Sequence, residues 1–368
     1  MRYAWLVVAA CASEVPTPQR PAPGSGAPED APLASVLPLD AGQPAALPQP
    51  VPPPAPEAGE VWLKGSTHVH ARPSGDSNEP IAKVIEWYEQ HGYDFIALTD
   101  HNKVTIAPPA KHLIVLPGVE LTHNPSGCLP EGDKSKKCRI HVNVLGVTAR
   151  PAGKIVWAER HSHERLHMYD AAIREAQVLG GKLIQINHPQ WYWGMTGGLL
   201  ADLAQRGAKL VEIENVQFDT WNAGDATHPS MSALWDAALQ TGATIWGIAS
   251  DDAHDYEEHH GKYPPGGGWV MVKARRDPQA ILAALAAGHF YASTGVVLAR
   301  AEVEAGELVV EVAPGEPGTY TIEWIENGKL ADTVHARSAR RAVPQGGYVR
   351  AVVTRDDGKR AWVEPARK

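Results

Sequence analysis

At 368 residues the chain has room for one large domain and a small one, and its 43% hydrophobic and 21% charged content is ordinary for a soluble globular protein. A net charge of −8 argues against a general nucleic-acid binder, which would be basic, so no duplex partner is expected. Seventeen histidines are the more telling figure.

The first residues read as an address. Arg2 precedes an apolar run over residues 4–10 and then Cys11, which resembles a bacterial lipoprotein signal (residues 1–11) whose Cys is lipidated. The run is too short to span a bilayer, so any membrane association would be through that lipid alone. The plainer alternative is a disordered N-terminus that contains a Cys. Residues 12–60 hold 14 of the 31 prolines, a composition that buries no core and prefers extended conformations. This segment reads as a tether, so the expected location is periplasmic or outer-membrane, and the folded part begins near Val61.

Over residues 61–297 strand-like and helix-like runs alternate, the pattern of a parallel α/β architecture. Pro80 opens a helix with Ile81, Val84, Ile85 and Tyr88 at three-to-four spacing, ending near Gly92. Further helices are expected over residues 158–179, 229–239 and 278–287. Cys128 and Cys138 bracket a polar segment and are expected to form a disulfide in an oxidising compartment; free thiols or a zinc pair are the alternatives, and no CxxC spacing supports zinc. After residue 297 the sequence alternates apolar and polar residues between Gly, Pro and Asn turns, the signal of a small antiparallel β-sandwich over residues 298–368.

Nine metal-binding side chains recur in order: His68 and His70 (S-T-H-V-H), Asp76 (S-G-D), His101 (T-D-H), Glu120 (P-G-V-E), His141, His188 (N-H-P), and Asp252 with His254 (D-A-H). Most follow short apolar runs, at residues 95–98, 114–116, 183–186 and 244–249, so each reads as the tip of a buried strand projecting a ligand into a shared mouth. A single such His or carboxylate means little, and His123, His161, His163, His167, His259 and His260 read as surface residues. Imidazole with carboxylate suits Zn, Mn or Fe rather than Ca, and six His with three carboxylates are too many for one ion, which leaves two or three.

Taken together, H-V-H with Asp76 six residues on, T-D-H, P-G-V-E, His141, N-H-P and D-A-H resemble the PHP (polymerase and histidinol phosphatase) family of metal-dependent phosphoesterases. The segment from Ala286 (A-G-H-F-Y-A-S-T-G) and Tyr348-Val-Arg look like its CehA/McbA branch, which includes carbaryl-type ester hydrolases. The resemblance implies a distorted (βα)7 TIM-like barrel with metals at one face. His68, His70 and Asp252 would hold one ion, and Glu120 would bridge it to a second held by His141 and His188. Asp76, His101 and His254 would hold a third. Two departures stand out: Ser66-Thr67 precede H-V-H where Asp or Asn is usual, and Asp76 stands where some members have His. Asp251 directly precedes Asp252, so the D-x-H spacing alone separates them. The resemblance implies hydrolysis of a small-molecule ester by metal-activated hydroxide, with Glu120, Asp252 and His254 at the chemistry and no protein nucleophile. Asp100 is expected either to orient a neighbouring ligand or to cap the next turn. Trp191 and Tyr192 either wall the pocket or pack the core, and Arg72 is a candidate substrate contact. No dense cationic cluster accompanies these motifs, which favours a phosphodiester over a monoester. The alternatives are a carboxylic- or carbamate-ester hydrolase on the same metals and a non-catalytic, metal-stabilised binding protein.

Overall fold

A computed structural model describes residues 59–151, 153–158, 162–257 and 262–368; Cys11, nearly all of the Pro-rich segment, His161, His259 and His260 lie outside them. The first strand, β1 (Val61–Val69), starts where the proline-rich composition stops. There follow a 3₁₀ turn (Arg72–Ser74), α1 (Ile81–Gln90), β2 (Phe95–Leu98), β3 (Ile114–His123), β4 (Ile140–Leu145), α2 (Arg165–Val178), β5 (Leu183–Ile186), α3 (Gly197–Gln205) and β6 (Leu210–Asn215). Then come α4 (Asp219–Ala223), α5 (Met231–Gln240), β7 (Trp246–Ser250), β8 (Trp269–Ala274), α6 (Pro278–Ala287) and β9 (Phe290–Ser293). The local chemistry explains several helix starts. The side chains of Thr196, Ser230 and Asp277 accept hydrogen bonds from backbone N–H groups three residues on, and Pro278 at the first position of α6 needs no donor of its own.

The architecture is mixed α/β with one large mixed sheet. Strands β1, β2 and β3 are parallel, as are β5, β6 and β7. The expectation of an all-parallel arrangement fails at β4, which runs antiparallel to both β3 and β5, and at β8, which runs antiparallel to β1. The reason for β4 is the connection before it. A parallel return needs a crossover, usually a helix, whereas the chain between β3 and β4 is taken up by a loop closed by the Cys128–Cys138 disulfide. That loop also shortens the following helix. The Leu129 N–H donates to the His163 carbonyl and the Arg165 N–H to the Leu129 carbonyl, so residues 162–164 are not helical and α2 starts at Arg165 rather than at 158.

At the end of the sheet order, β7 does not stay an edge. It packs beside β8, β9 and β1, and an isolated parallel bridge joins Val69 to Ala253, so the sheet curls back on itself. The curl leaves little room inside. A Cβ at Gly65 of β1 would lie 2.1 Å from the Phe95 ring of β2, so only glycine lets that ring fill the interior.

Seven further strands follow: β10 (Leu298–Glu304), β11 (Glu307–Val312), β12 (Tyr320–Glu326), β13 (Lys329–His335), β14 (Ser338–Ala342), β15 (Val349–Arg355) and β16 (Arg360–Ala366). Strands β10, β11 and β14 form a separate three-stranded sheet, while β16 pairs with β9 and extends the large sheet through β15 and β12 to β13. The two layers enclose Leu298, Leu308, Val310, Tyr320, Ile322, Trp324 and Val353, as the alternating pattern predicts. The change of character after residue 297 is thus not a break in the sheet. The Tyr348-Val-Arg segment keys this region to the α/β part: the buried guanidinium of Arg350 makes two hydrogen bonds, of 2.8 and 2.6 Å, to the Asp236 carboxylate on α5, and the Tyr348 hydroxyl donates to the same carboxylate at 2.7 Å.

Removing one member of a buried, hydrogen-bonded pair leaves the other uncompensated. Asp236→Ala is therefore expected to lower the unfolding free energy by about 3–5 kcal/mol in a denaturant titration. Cys128→Ala should cost about 3 kcal/mol under oxidising conditions, from the restored freedom of a short loop in the unfolded chain, and nothing under reducing ones. Equal melting temperatures with and without reductant in the unmodified protein would count against that.

Candidate metal centre

Six of the seven strands from β1 to β7, all but β6, deliver a candidate ligand to one rim. His68 ends β1 with His70 just beyond it, His101 follows β2, Glu120 lies in β3, His188 follows β5, and Asp252 follows β7. His141 differs from the expected geometry: it opens β4, preceding the apolar run rather than following it, because β4 runs the other way and presents its first residues to the same rim. The backbone is forced at two of these points. His188 and Asp252 have φ of +24° and +46°, in the left-handed region that non-glycine residues avoid. Strain of about 1–3 kcal/mol per residue persists only where surrounding structure over-determines it, and it clusters at functional sites.

The nine expected residues form four overlapping groups that could hold metal ions: His68, His70 and Glu120; His68, His188 and Asp252; Glu120, His141 and His188; and His70, Asp76, His101 and His254. Glu120 and His188 each join two groups, as do His68 and His70, which is the shared-ligand pattern of a cluster rather than of separate sites. Asp251 belongs to none of them. Its carboxylate accepts from the Gly266 N–H, and burial raises its pKa to about 7. Of the two neighbouring aspartates, only Asp252, the one in the D-x-H spacing, stands in a group that could hold an ion.

The donor geometry fits ions. Nε2 of His68 lies 3.0 Å from Asp252 Oδ1 and 3.5 Å from Glu120 Oε1, and Nε2 of His70 lies 3.1 Å from Asp252 Oδ1 and 3.6 Å from Glu120 Oε2. Neither nitrogen has a hydrogen-bond partner although both are buried, and Nδ1 of His188 is also unpartnered. Two ligands bonded at about 2.0–2.1 Å to one tetrahedral ion stand about 3.4 Å apart, so these spacings are compatible with atoms that could share a cation. The tautomers agree. His68 Nδ1 donates to Glu212 Oε1 at 2.6 Å and His254 Nδ1 donates to the Asp252 carbonyl at 2.7 Å; each acceptor can only accept, so in each ring Nε2 is the nitrogen left facing the cluster.

Electrostatics follow from packing imidazoles against carboxylates out of water. Burial opposes charge on His68, but Asp252, Glu212 and Glu120 around it raise its pKa well above the ordinary value. Burial likewise opposes charge on His101, yet Glu120 and Asp76 push it up to about 10. His70 goes the other way, to about 3, through burial and the neighbouring His254 and His101. His141 falls to about 4, chiefly through burial. Burial would raise the pKa of Glu120, but His141, His101 and His68 hold it well below the usual carboxylate range. The cluster is a charge-dense pit with a buried floor and a more open side where Asp76 lies half exposed.

Glu212 is the residue that reading the sequence missed. It is fully buried in β6, where its carboxylate receives His68 Nδ1, the backbone N–H of His188 at 2.5 Å and Ser250 Oγ at 2.6 Å. It thus fixes one ligand ring and the backbone of another. Glu212 and Glu214 both stand in the short run Leu210–Asn215, so the sequence signal was a Glu in a strand flanked by apolar residues, with nothing to single out Glu212. Asn187 plays a similar part, donating to Glu120 Oε1 at 2.9 Å. Asp100 accepts from the backbone N–H of Ala71 at 2.7 Å and from Thr105, which ties down the segment after His70 rather than orienting the His101 ring. Arg72 is exposed and donates to the Asn78 carbonyl at 3.1 and 2.9 Å, tying its own loop. Trp191 lines the site, its ring centroid 5.2 Å from His188 and 5.9 Å from His141, with Tyr192 stacked on it at 5.4 Å.

Carboxylates that orient ligand histidines contribute to ion affinity through the ring they hold. Glu212→Gln is expected to weaken Zn²⁺ binding about 10–100-fold, read by competition with a chromophoric chelator. No protein-family model matches this chain, and no curated protein matches it either.

Proposed function

We propose that the chain is a metal-dependent hydrolase of the PHP type that cleaves phosphate esters. The observation that carries this reading is the convergence of nine side chains on four overlapping ligand groups, with Nε2 of His68 and His70 buried and unpartnered. The curled sheet with every ligand at one rim supports a distorted (βα)7 barrel, with β4 as its reversed strand. The mixed imidazole and carboxylate donors suit two or three Zn, Mn or Fe ions better than Ca. Bound there, such ions would supply Lewis acidity at the ester oxygens and a water acidified towards a pKa of roughly 7.

The chain's own residues account for the rest. Glu120, buried and shared between groups, keeps the first two ligand sets at a fixed separation. Glu212 holds His68, and the Asp252 carbonyl holds His254, so both rings keep Nε2 towards the cluster. Asp76 and His254 sit on the more open side, 3.3 Å apart, where a proton leaving the reaction can pass to solvent. No protein nucleophile is needed. The Cys128–Cys138 disulfide fits an oxidising compartment and so favours export.

A second reading, hydrolysis of an aryl carboxylic or carbamate ester on the same ions, is favoured by the aromatic group of Trp191, Tyr192, Phe218 and Trp221 beside His188. The test is turnover by the purified chain loaded with Mn²⁺ or Zn²⁺ on a bis-aryl phosphate, an aryl monophosphate and aryl carboxyl or carbamate esters. Chelator-sensitive cleavage of the phosphate esters, reduced at least 100-fold in Glu120→Gln, is the expected result. Cleavage of the carbonyl esters alone would replace it with the second reading, and a fully active Glu120→Gln would sink the bridging role.

A further inference from the structure

One cation beside this centre has donors to spare. Arg139 stands just before β4 and two residues before His141, and its guanidinium packs on Trp191, whose ring lies against His141. The central carbon of the guanidinium lies 4.8 Å from the Trp191 ring and 4.8 Å from the Tyr192 ring. Trp191 in turn touches His188 and His141, which puts Arg139 one ring away from two of the ligands. Lys137 adds a second positive charge, 5.3 Å from the Tyr192 ring.

What the guanidinium does not do is equally informative. Nη1 donates to the Cys138 carbonyl at 2.9 Å, while Nε is buried with no partner. Among the described residues no carboxylate pairs with it, although the centre beside it is rich in them. Arg72, the other arginine near the ligands in sequence, is spent on the Asn78 carbonyl. A guanidinium held by aromatic faces keeps its planar fork of N–H groups oriented and weakly hydrated, a state suited to an incoming oxyanion.

The holder is built and strained. Tyr192 and Trp193 both have left-handed backbones, with φ of +62° and +60°, although neither is glycine. The disulfide loop keeps them there: the Asp133 N–H donates to the Tyr192 carbonyl at 3.2 Å, and a Cβ on Gly132 would lie 2.1 Å from that same oxygen. Buried Arg165 locks the far side through the Pro130 carbonyl at 2.9 Å. The disulfide therefore positions Arg139 twice, through the adjacent Cys138 and through the aromatic loop it supports.

We propose that Arg139 is the anion-recognition residue of this centre, binding a phosphoryl oxyanion of the substrate on the side of His141 and His188. The proposal rests on the hydrolase reading only for the reaction that follows; the anion site stands on its own geometry. It names the substrate class as an ester carrying negative charge at or beside the reacting group, and it sets the phosphate esters ahead of the neutral carbonyl esters.

The experiment is calorimetric binding of phenylphosphonate, a non-hydrolysable oxyanion, to the Zn²⁺-loaded full chain at low salt, with metal content measured alongside. Arg139→Gln is expected to weaken binding at least tenfold with metal content unchanged, and Arg139→Lys to regain part of the loss because charge returns without the fork. Added salt should weaken the unmodified protein more than Arg139→Gln. Equal affinity in Arg139→Gln, or a loss that follows loss of metal, would overturn the proposal. Turnover separates the two ideas: a protein that binds phenylphosphonate through Arg139 but hydrolyses no ester upholds the anion site and rejects the hydrolase, and the reverse result does the opposite.

Discussion

Glu120 has no water to share its charge, so its stability as a carboxylate depends on donors and cations brought to it by the fold. His101 Nδ1 reaches it at 2.6 Å, Asn187 Nδ2 at 2.9 Å and His141 Nδ1 at 3.0 Å, while Nε2 of His68, His70 and His188 stand at 3.5–3.6 Å. An isolated buried carboxylate costs many kcal/mol, and five imidazoles from the ends of four strands, β1, β2, β4 and β5, meet that cost only if the strands stay in register. The requirement reaches outward: Glu212 fixes His68, and Asn187 comes from the turn that also carries His188. Under the proposed reading divalent ions complete the neutralisation that these rings begin.

The same constraint bears on the backbone at the rim. Five of the eight non-glycine residues with positive φ among the described residues, Asn102, His188, Tyr192, Trp193 and Asp252, lie in segments that leave the strand ends there; Lys136, Ala305 and Asn327 sit in loops elsewhere. Such conformations are held by what surrounds them, including the disulfide loop packed against residues 192–193 and the bridge from Val69 to Ala253. The rim is thus a set of short strained turns standing on a rigid sheet, which suits placing side chains to a few tenths of an ångström.

The C-terminal strands serve that sheet more than they stand apart from it. Through β9 and β16 they extend its hydrogen bonding, and through Arg350 and Tyr348 they grip Asp236 on the helix that precedes β7, the strand before Asp252. Beneath this contact Glu364 of β16 is buried and accepts the N–H of Gly247 at the start of β7, and burial raises its pKa well above the ordinary value. A charge-neutral acid there costs less than an ionised one would.

Much of the centre was legible in the residues themselves. The nine side chains that the structure brings together are the nine that recur after apolar runs or in the short motifs from S-T-H-V-H to D-A-H, because ligand chemistry is a property of residue type and the strand-then-ligand pattern is local. Helices α1 and α6 announced themselves through periodicity and their flanking Pro and Gly. What the sequence could not decide is everything that depends on residues far apart in the chain. The reversal of β4 follows from a loop closed by a disulfide, the role of Glu212 from its meeting with His68 across 144 positions, and the packing of Arg139 on Trp191 from a strained turn some 50 residues later. Residue type sets which chemistry is available, and only the tertiary contacts decide which atoms are close enough, and dry enough, to use it.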